Sequence, residues 1–335
     1  MSEAPLLEVR GLHAHIGSPR GVVRAVDGAS FVLRHGEALG VVGESGSGKS
    51  VMARAIMGLM PARSDCTGEV LFNGRDLLRL RGAELEQVWG KQIAMVFQDP
   101  GRSLNPVVRV ERQLTEGMRR HLGVSRSEAT TRALGLLKEV GVPDPERRLR
   151  AYPHELSGGM RQRVMIAVAL ACEPELLIAD EPTTALDVTI QRQVLDLLRR
   201  VQHQRNMSLM LISHDLHVVA GRTDRTAVMY AGRLAEIGES KEVFTDPRHR
   251  YTAALLGATP SITHERKARF AVIPGSLPSP TDPPPGCRFA PRCGAATDAC
   301  AQAQPEMIKL KEDHSVACVH PVRPLPQREG ELIGR

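Results

Sequence analysis

The sequence predicts an α/β fold in which a largely parallel sheet is flanked by helices. Three observations carry this. Short apolar runs at 38–42, 176–179 and 208–212 have the length and composition of strands buried on both faces. Helical patterns lie between them: 50–59, stopped before Pro61, then 159–171, then 188–201, where Gln191, Val194, Leu195, Leu198 and Val201 share one face. The first of these strands enters a glycine-rich turn that opens directly into a helix.

The remaining elements follow in order. Residues 6–32 read as short strands broken by Gly11, Gly17 and Gly28, an antiparallel β edge to the domain. A further strand is expected at 92–97. A helical subdomain spans about 100–160: Ser125 and Glu128 have capping-box spacing, Leu134, Leu137 and Val140 recur at helical intervals, and Gly141 with Pro143 ends that helix. A strand at 226–230 completes the main domain, 1–260. The C-terminal extension, 261–335, begins with a proline-rich linker through Pro274, Pro278, Pro280, Pro283, Pro284 and Pro285 to Gly286. It also holds four of the six cysteines.

Bulk properties narrow the class. At 335 residues and 42% hydrophobic, the chain is long and apolar enough for a real core. A net charge of +6 suits anionic partners, while 3% aromatics argues against a base-stacking surface for single-stranded nucleic acid. The longest apolar run, 164–172, falls well short of the roughly 20 residues that a spanning helix needs. The start, Met1-Ser2-Glu3-Ala4-Pro5, lacks a secretory pattern. The expectation is a cytosolic protein that reaches a membrane only through partners.

Gly43-Glu44-Ser45-Gly46-Ser47-Gly48-Lys49-Ser50 matches G-x-x-x-x-G-K-[ST] between a strand and a helix, the context this phosphate-binding motif requires. Glycines let backbone N–H groups close around phosphates, and the helix N-terminus adds positive potential. Lys49 is placed to reach the terminal phosphates and the Ser50 hydroxyl to bind Mg2+. Downstream, four apolar residues put Asp180 and Glu181 at the carboxyl end of a buried strand, where such sheets bind ligands. Asp180 is the candidate Mg2+ ligand, through water, and Glu181 the residue that orients or deprotonates an attacking water. Two adjacent carboxylates are by themselves a weak signal, since most are solvated turns. Their place downstream of the phosphate loop is what gives them weight.

Between these motifs stands Leu156-Ser157-Gly158-Gly159-Met160, another helix N-terminus able to grip a phosphate. Here the chain resembles the ABC ATPase family, whose signature is L-S-G-G-Q, with Met160 at the fifth place. The resemblance implies an ABC nucleotide-binding domain that hydrolyses ATP. It also implies that Ser157, Gly158, Gly159 and Met160 serve the ATP held by an opposite subunit. Gln98, in Val96-Phe97-Gln98-Asp99-Pro100, is similar to the family's Q-loop glutamine, a Mg2+ contact. Ala185-Leu186-Asp187 is similar to the D-loop, and His214 to the switch histidine at the γ-phosphate. The family's adenine-stacking aromatic is replaced: in His13-Ala14-His15-Ile16-Gly17, Ile16 stands at that place, leaving an apolar surface without ring stacking.

Other stretches narrow the resemblance to peptide importers: residues 98–106, Tyr152-Pro153-His154-Glu155-Leu156, and Asp187-Val188-Thr189-Ile190-Gln191. This implies a subunit powering di- or oligopeptide import. It would work with a paralogous second ATPase, two integral membrane permease subunits and an extracytoplasmic binding protein, at the cytoplasmic face of the inner membrane and without nucleic acid. Import of nickel or glutathione, or a soluble ATPase acting on nucleic acid or ribosomes, are the alternatives. Cys287, Cys293, Cys300 and Cys318 lie in one segment of a chain expected in a reducing compartment, which favours metal over disulfides. Their spacing is not the C-x2-C pairing of common zinc sites. The family-like tail implies a 4Fe-4S cluster. Zinc, with His314 or His320 as further ligands, and free thiols are the other readings.

Overall fold

The computed structural model describes residues 4–184, 186–258 and 272–322. The chain opens with β1 (Leu7–Ser18) and β2 (Gly21–Leu33), paired antiparallel. Of the glycines expected to break this region, Gly11 and Gly28 instead sit at bulges within two long strands, and Gly17 pairs in register with Val22. Register shifts fall between Val9 and Leu12 and between Leu12 and His13, where Gly11 (φ 52°) and Gly28 (φ 85°) sit. An extra residue in a ladder bends a strand without ending it.

Next come β3 (Ala38–Val42) and α1 (Lys49–Ile56), after which the chain returns to the first sheet as β4 (Ser64–Phe72) and β5 (Arg75–Asp76). No strand is expected there from the sequence, because the first half of β4 is polar and Gly68 interrupts it. A Cβ at Gly68 would lie 2.4 Å from the Gly11 carbonyl oxygen, so glycine is required where the two bulged strands meet.

α2 (Ala83–Val88) and β6 (Ile93–Val96) lead into the helical insertion: α3 (Pro100–Ser103), α4 (Val110–Leu122), α5 (Arg126–Glu139) and α6 (Pro145–Arg150). The expected cap is in place, with Ser125 Oγ accepting the Glu128 N–H at 3.2 Å. Then follow α7 (Gly158–Leu170), β7 (Leu176–Asp180), α8 (Val188–Arg205), β8 (Ser208–Ser213), α9 (Leu216–Val219) and β9 (Arg225–Tyr230). The sheet does not stop there. β10 (Arg233–Glu239) turns back antiparallel, and α10 (Ser240–Thr245) and α11 (Arg250–Gly257) follow.

The C-terminal segment adds α12 (Asp298–Gln302), β11 (Ile308–Lys311) and β12 (His314–Val316). β12 pairs with β10 through Glu236↔Val316 and Ile237↔Ser315, so the tail extends the main sheet, in the order β11-β12-β10-β9-β3-β8-β7-β6. Buried Glu236 anchors this junction, accepting from the N–H groups of Arg248 (2.8 Å) and His249 (2.9 Å) and pairing with His314 Nε2 at 2.7 Å. The proline-rich stretch is irregular and held down, with the Arg24 N–H donated to Pro280 O at 2.9 Å. No helix among the described residues is long and apolar enough to cross a membrane.

Alternate residues of the central strands face two cores. Leu177 and Ala179 face the one shared with the helical insertion, α7 and α8, while Leu176 and Ile178 face the one shared with α1 and the first sheet. Burial on both faces is why these strands read as continuous apolar runs. β3, β8, β7 and β6 are parallel neighbours, with Val42↔Ser213, Asp180↔Ile212 and Val96↔Ala179 in register. Their carboxyl ends therefore emerge at one edge, where open α/β sheets bind ligands.

Candidate active site

Residues 43–50 form the turn from β3 into α1. Glycine is dictated at two positions by dihedral and by space together. A Cβ on Gly43 (φ 154°) would lie 2.0 Å from Met229 O, and one on Gly48 (φ 103°) 2.1 Å from Ala25 O. Neighbouring backbone pins the loop: the Gly232 N–H donates to Ser47 O at 2.7 Å, and the Glu44 N–H to Tyr251 Oη at 2.9 Å. Lys49 is buried and folds back on the loop, its Nζ donating to Gly43 O (2.7 Å) and Glu44 O (3.0 Å) and lying 3.4 Å from Ser47 Oγ. Burial pulls the Lys49 pKa below that of an ordinary lysine, against the opposing pull of Glu181, Asp180 and Glu44.

Ser50 Oγ donates to Asp180 Oδ1 at 2.7 Å. Burial pushes the Asp180 carboxyl above the usual range; Glu181 adds to this, while Ser50, Arg54 and Lys49 oppose it. A desolvated carboxylate beside a hydroxyl, with no ion-pair partner of its own among the described residues, is a donor set that fits a hard cation such as Mg2+.

Glu181 sits at φ 45°, a left-handed backbone that costs a non-glycine residue about 1–3 kcal/mol and is found at sites where position matters. Its Oε2 accepts from Gln98 Nε2 (2.9 Å) and Thr184 Oγ1 (3.0 Å) and lies 3.3 Å from His214 Nδ1. The ends of β6, β7 and β8 thus bring Gln98, Glu181 and His214 together, and the Ser50–Asp180 bond ties the phosphate loop to the same edge. Thr184 is a contact that no sequence motif marks.

Ser157–Met160 and Asp187 stand apart from this cluster. Ser157 Oγ accepts the Met160 N–H at 3.3 Å, capping α7, and Asp187 Oδ1 accepts the Ile190 N–H at 2.9 Å, capping α8. Both are exposed helix N-termini, and they touch: a Cβ on Gly159 would lie 3.1 Å from Ile190. Ala185 lies outside the described residues, as does the boundary expected at 260–261. Ile16 is half-buried on β1, opposite Val23 of β2 and Ser64 of β4.

Beside Ile16, His13 Nδ1 and His15 Nε2 lie 3.0 and 3.4 Å from Asp27 Oδ1, with the spacing of a metal site. Asp27 Oδ2, however, takes Arg233 at 2.8 Å and Arg288 of the tail. Burial would raise this carboxyl, but the two guanidiniums outweigh it and hold it below the usual range. Two fixed positive charges on the carboxylate make this an ion-pair node joining the first sheet to the tail, not a cation site.

None of the four tail cysteines is in a disulfide; Cys300 is buried and Cys287, Cys293 and Cys318 are partly buried. The Cys287 N–H donates to Cys300 O at 2.7 Å. Burial pushes the Cys287 and Cys318 thiols up, with further contributions from Cys318 and Cys300 on Cys287 and from Cys293 on Cys318. Of the two nearby histidines, His314 has both ring nitrogens engaged, and His320 has one. His314 is held between Glu236 and Glu242 (Nδ1 at 3.3 Å), and His320 Nε2 is 2.9 Å from Thr297 Oγ1.

A phosphate loop at a helix N-terminus, an acidic pair on the next strand end but one, and a glutamine and a histidine closing over them define a nucleotide hydrolase. Comparisons agree. The ABC transporter family matches residues 26–184, and the oligopeptide/dipeptide transporter C-terminal region matches 235–300. The dipeptide transport ATP-binding protein DppD of Escherichia coli is 48% identical over 318 residues, covering 95% of this chain and 97% of the relative. The probable peptide ABC transporter ATP-binding protein y4tR of Sinorhizobium fredii is 49% identical over 315 residues, 93% of this chain and 94% of its own. Among solved structures, the dimeric bacterial ABC transporter cassette MJ0796 aligns with a TM-score of 0.63 at 26% identity, over 70% of this chain and 98% of that one. A post-hydrolysis form of the same cassette, bound to ADP and Pi, aligns equally well. The chain belongs to the ABC transporter family, as an ATP-binding subunit of its oligopeptide/dipeptide branch.

Proposed function

We propose that this chain hydrolyses ATP to drive import of di- and oligopeptides through a membrane permease. The observation that carries the reading is the meeting of Gln98, Glu181 and His214 at the strand edge where Ser50 bonds to Asp180. The peptide assignment draws on the match over residues 235–300 and on the peptide transporters among the relatives.

The phosphates of ATP enter the loop 43–50, and Lys49 exchanges the carbonyls of Gly43 and Glu44 for phosphate oxygens. Ser50 and Asp180, with Gln98, would hold Mg2+, which when bound would offset phosphate charge. Glu181 takes the proton of the attacking water, and His214 faces the γ-phosphate from the neighbouring strand end. Adenine lies against Ile16. The exposed N-terminus of α7, Ser157–Met160, contacts the ATP of a second, paralogous ATPase subunit across the dimer, with Asp187 beside it. This chain sits at the cytoplasmic face of the membrane, against two integral permease subunits, with the extracytoplasmic binding protein delivering peptide from the other side. Reconstitution with the permease in vesicles tests this. ATP hydrolysis rising with peptide-loaded binding protein is the expected result. Stimulation by nucleic acid or ribosomes, and none by peptide, would replace the reading with that of a soluble ATPase.

Four cysteines in one segment, with His314 held at both ring nitrogens, support a metal centre built of thiolates. We assign Cys287, Cys293, Cys300 and Cys318 to a 4Fe-4S cluster with a structural role, because a segment this short lacks a core of its own. Anaerobically purified protein is expected to be brown, with about four irons per chain. Replacing His320 by Ala should leave the iron content unchanged. Zinc without iron or labile sulfide makes this a zinc centre instead. Free alkylation of all four thiols in the folded chain rules out both.

A further inference from the structure

Glu44 lies inside the phosphate loop, at a position where the motif accepts any residue. Its carboxylate is nonetheless held from outside the nucleotide domain. Arg292 of the tail places one Nη 3.0 Å from Glu44 Oε1 and 3.0 Å from Oε2, and the same nitrogen reaches Tyr230 Oη at 3.2 Å. The Arg292 Nε donates to Pro274 O at 2.8 Å, and the guanidinium lies over the Tyr230 ring, 5.8 Å from its centre. Its side chain is only 7% exposed. Tyr230 packs on Tyr251 with ring centres 4.5 Å apart, and both rings meet Phe289. Tyr251 in turn accepts the Glu44 N–H. Glu44 is therefore gripped twice, by Tyr251 at its backbone and by Arg292 at its carboxylate.

We propose that Arg292 is a positioning residue for the phosphate loop, holding the Glu44 carboxylate away from Lys49 so that Lys49 stays available to the phosphates of ATP. This rests on the reading that residues 43–50 hold those phosphates. A carboxylate in that loop acts in two unfavourable ways. It repels the incoming polyanion, and it attracts the lysine that must receive it. Glu44 already acts on Lys49 through space, tending to keep it charged. The paired guanidinium neutralises this carboxylate and fixes its direction, which a neutral residue at 292 cannot do. Burial works against the Arg292 charge, yet Tyr230 and Glu44 outweigh it and keep the guanidinium firmly protonated. Arg292 immediately precedes Cys293, so the loop that receives ATP and the cysteine-bearing tail are one mechanical unit.

The test measures MgATP binding by calorimetry on the anaerobically purified full chain, and KM and kcat in the reconstituted transporter. Arg292→Ala should weaken MgATP binding about tenfold, the scale of one charge-assisted contact, raising KM more than it lowers kcat. Arg292→Lys should recover most of that loss. The deciding variant is Arg292→Ala combined with Glu44→Gln: once the freed carboxylate is removed, binding should return toward that of the parent. If Arg292→Ala binds like the parent, or the double variant binds no better than Arg292→Ala, the proposal is overturned. The second outcome would mean that Arg292 supports only the tail. Lys49→Ala in the same assay separates the two readings. Binding that survives this substitution refutes the phosphate-loop assignment itself, whereas its loss beside an unaffected Arg292→Ala refutes only the role of Arg292.

Discussion

Glu181→Gln is expected to slow ATP turnover by about a hundredfold or more while MgATP still binds. The carboxylate is over-determined in position. Gln98, Thr184 and His214 converge on one of its oxygens, and the backbone at φ 45° aims it. Glutamine keeps the length, the branching and an oxygen that can accept from the same groups. It cannot take a proton from water. The substitution therefore separates position from basicity. Single-turnover hydrolysis, set beside nucleotide binding on the same preparation, reads both. Near-parent hydrolysis would move the base elsewhere and leave Glu181 with the orienting role alone.

A comparable loss is expected from Gly48→Ala, for a steric reason rather than a chemical one. The new methyl would lie 2.1 Å from Ala25 O and 2.9 Å from the Met229 terminal carbon, at φ 103°. The first obstacle is backbone of β2, which has little room to move, so the loop must open and its N–H groups lose their common focus. MgATP binding should fall by more than about a hundredfold, the price of losing several charge-assisted contacts at once. Gly46→Ala is the control. Gly46 also has positive φ (83°), but no atom lies within 4 Å of the added methyl, so it carries only the left-handed strain of about 1–2 kcal/mol. Thermal unfolding of the two proteins without nucleotide should show the larger drop for Gly48→Ala. Equal drops would mean that the Ala25 carbonyl yields.

The elements legible in the sequence are those whose burial imposes a pattern. β3, β7 and β8 are covered on both faces and read as unbroken apolar runs, and α7 and α8 carry their own caps at Ser157 and Asp187. The first sheet was harder, because Gly11 and Gly28 look like strand ends when they are bulges. β4 hides behind a polar first half, and β12 is three residues long, held by a partner strand far away in the chain. The same division runs through the site. Lys49, Ser50, Asp180 and Glu181 announce themselves because their motifs follow buried strands, and Gln98 and His214 through the family resemblance. Thr184, Tyr251 and Arg292 do not. Their contacts depend on how separate segments pack, and nothing in local spacing encodes the meeting of Arg292 with Glu44. His13, His15 and Asp27 come together only in the fold, where two arginines from 233 and 288 take the carboxylate.

The strand β12 also decides what the outer border of the protein looks like to another molecule. With β12 and β11 in place, the sheet ends in a short ribbon. Lys309 and Lys311 are exposed on it, and Lys311 is tied to Glu242. Charged, brief borders of this kind discourage chains from adding to one another. Beneath them lies β10, seven residues long, with Leu234, Ala235 and Ile237 buried. A shortened chain that stopped before His314 would uncover the unpaired amides and carbonyls of that strand and strip Glu236 of its buried imidazole. The tail thus also serves as a hem over the strand edge that β10 would otherwise present.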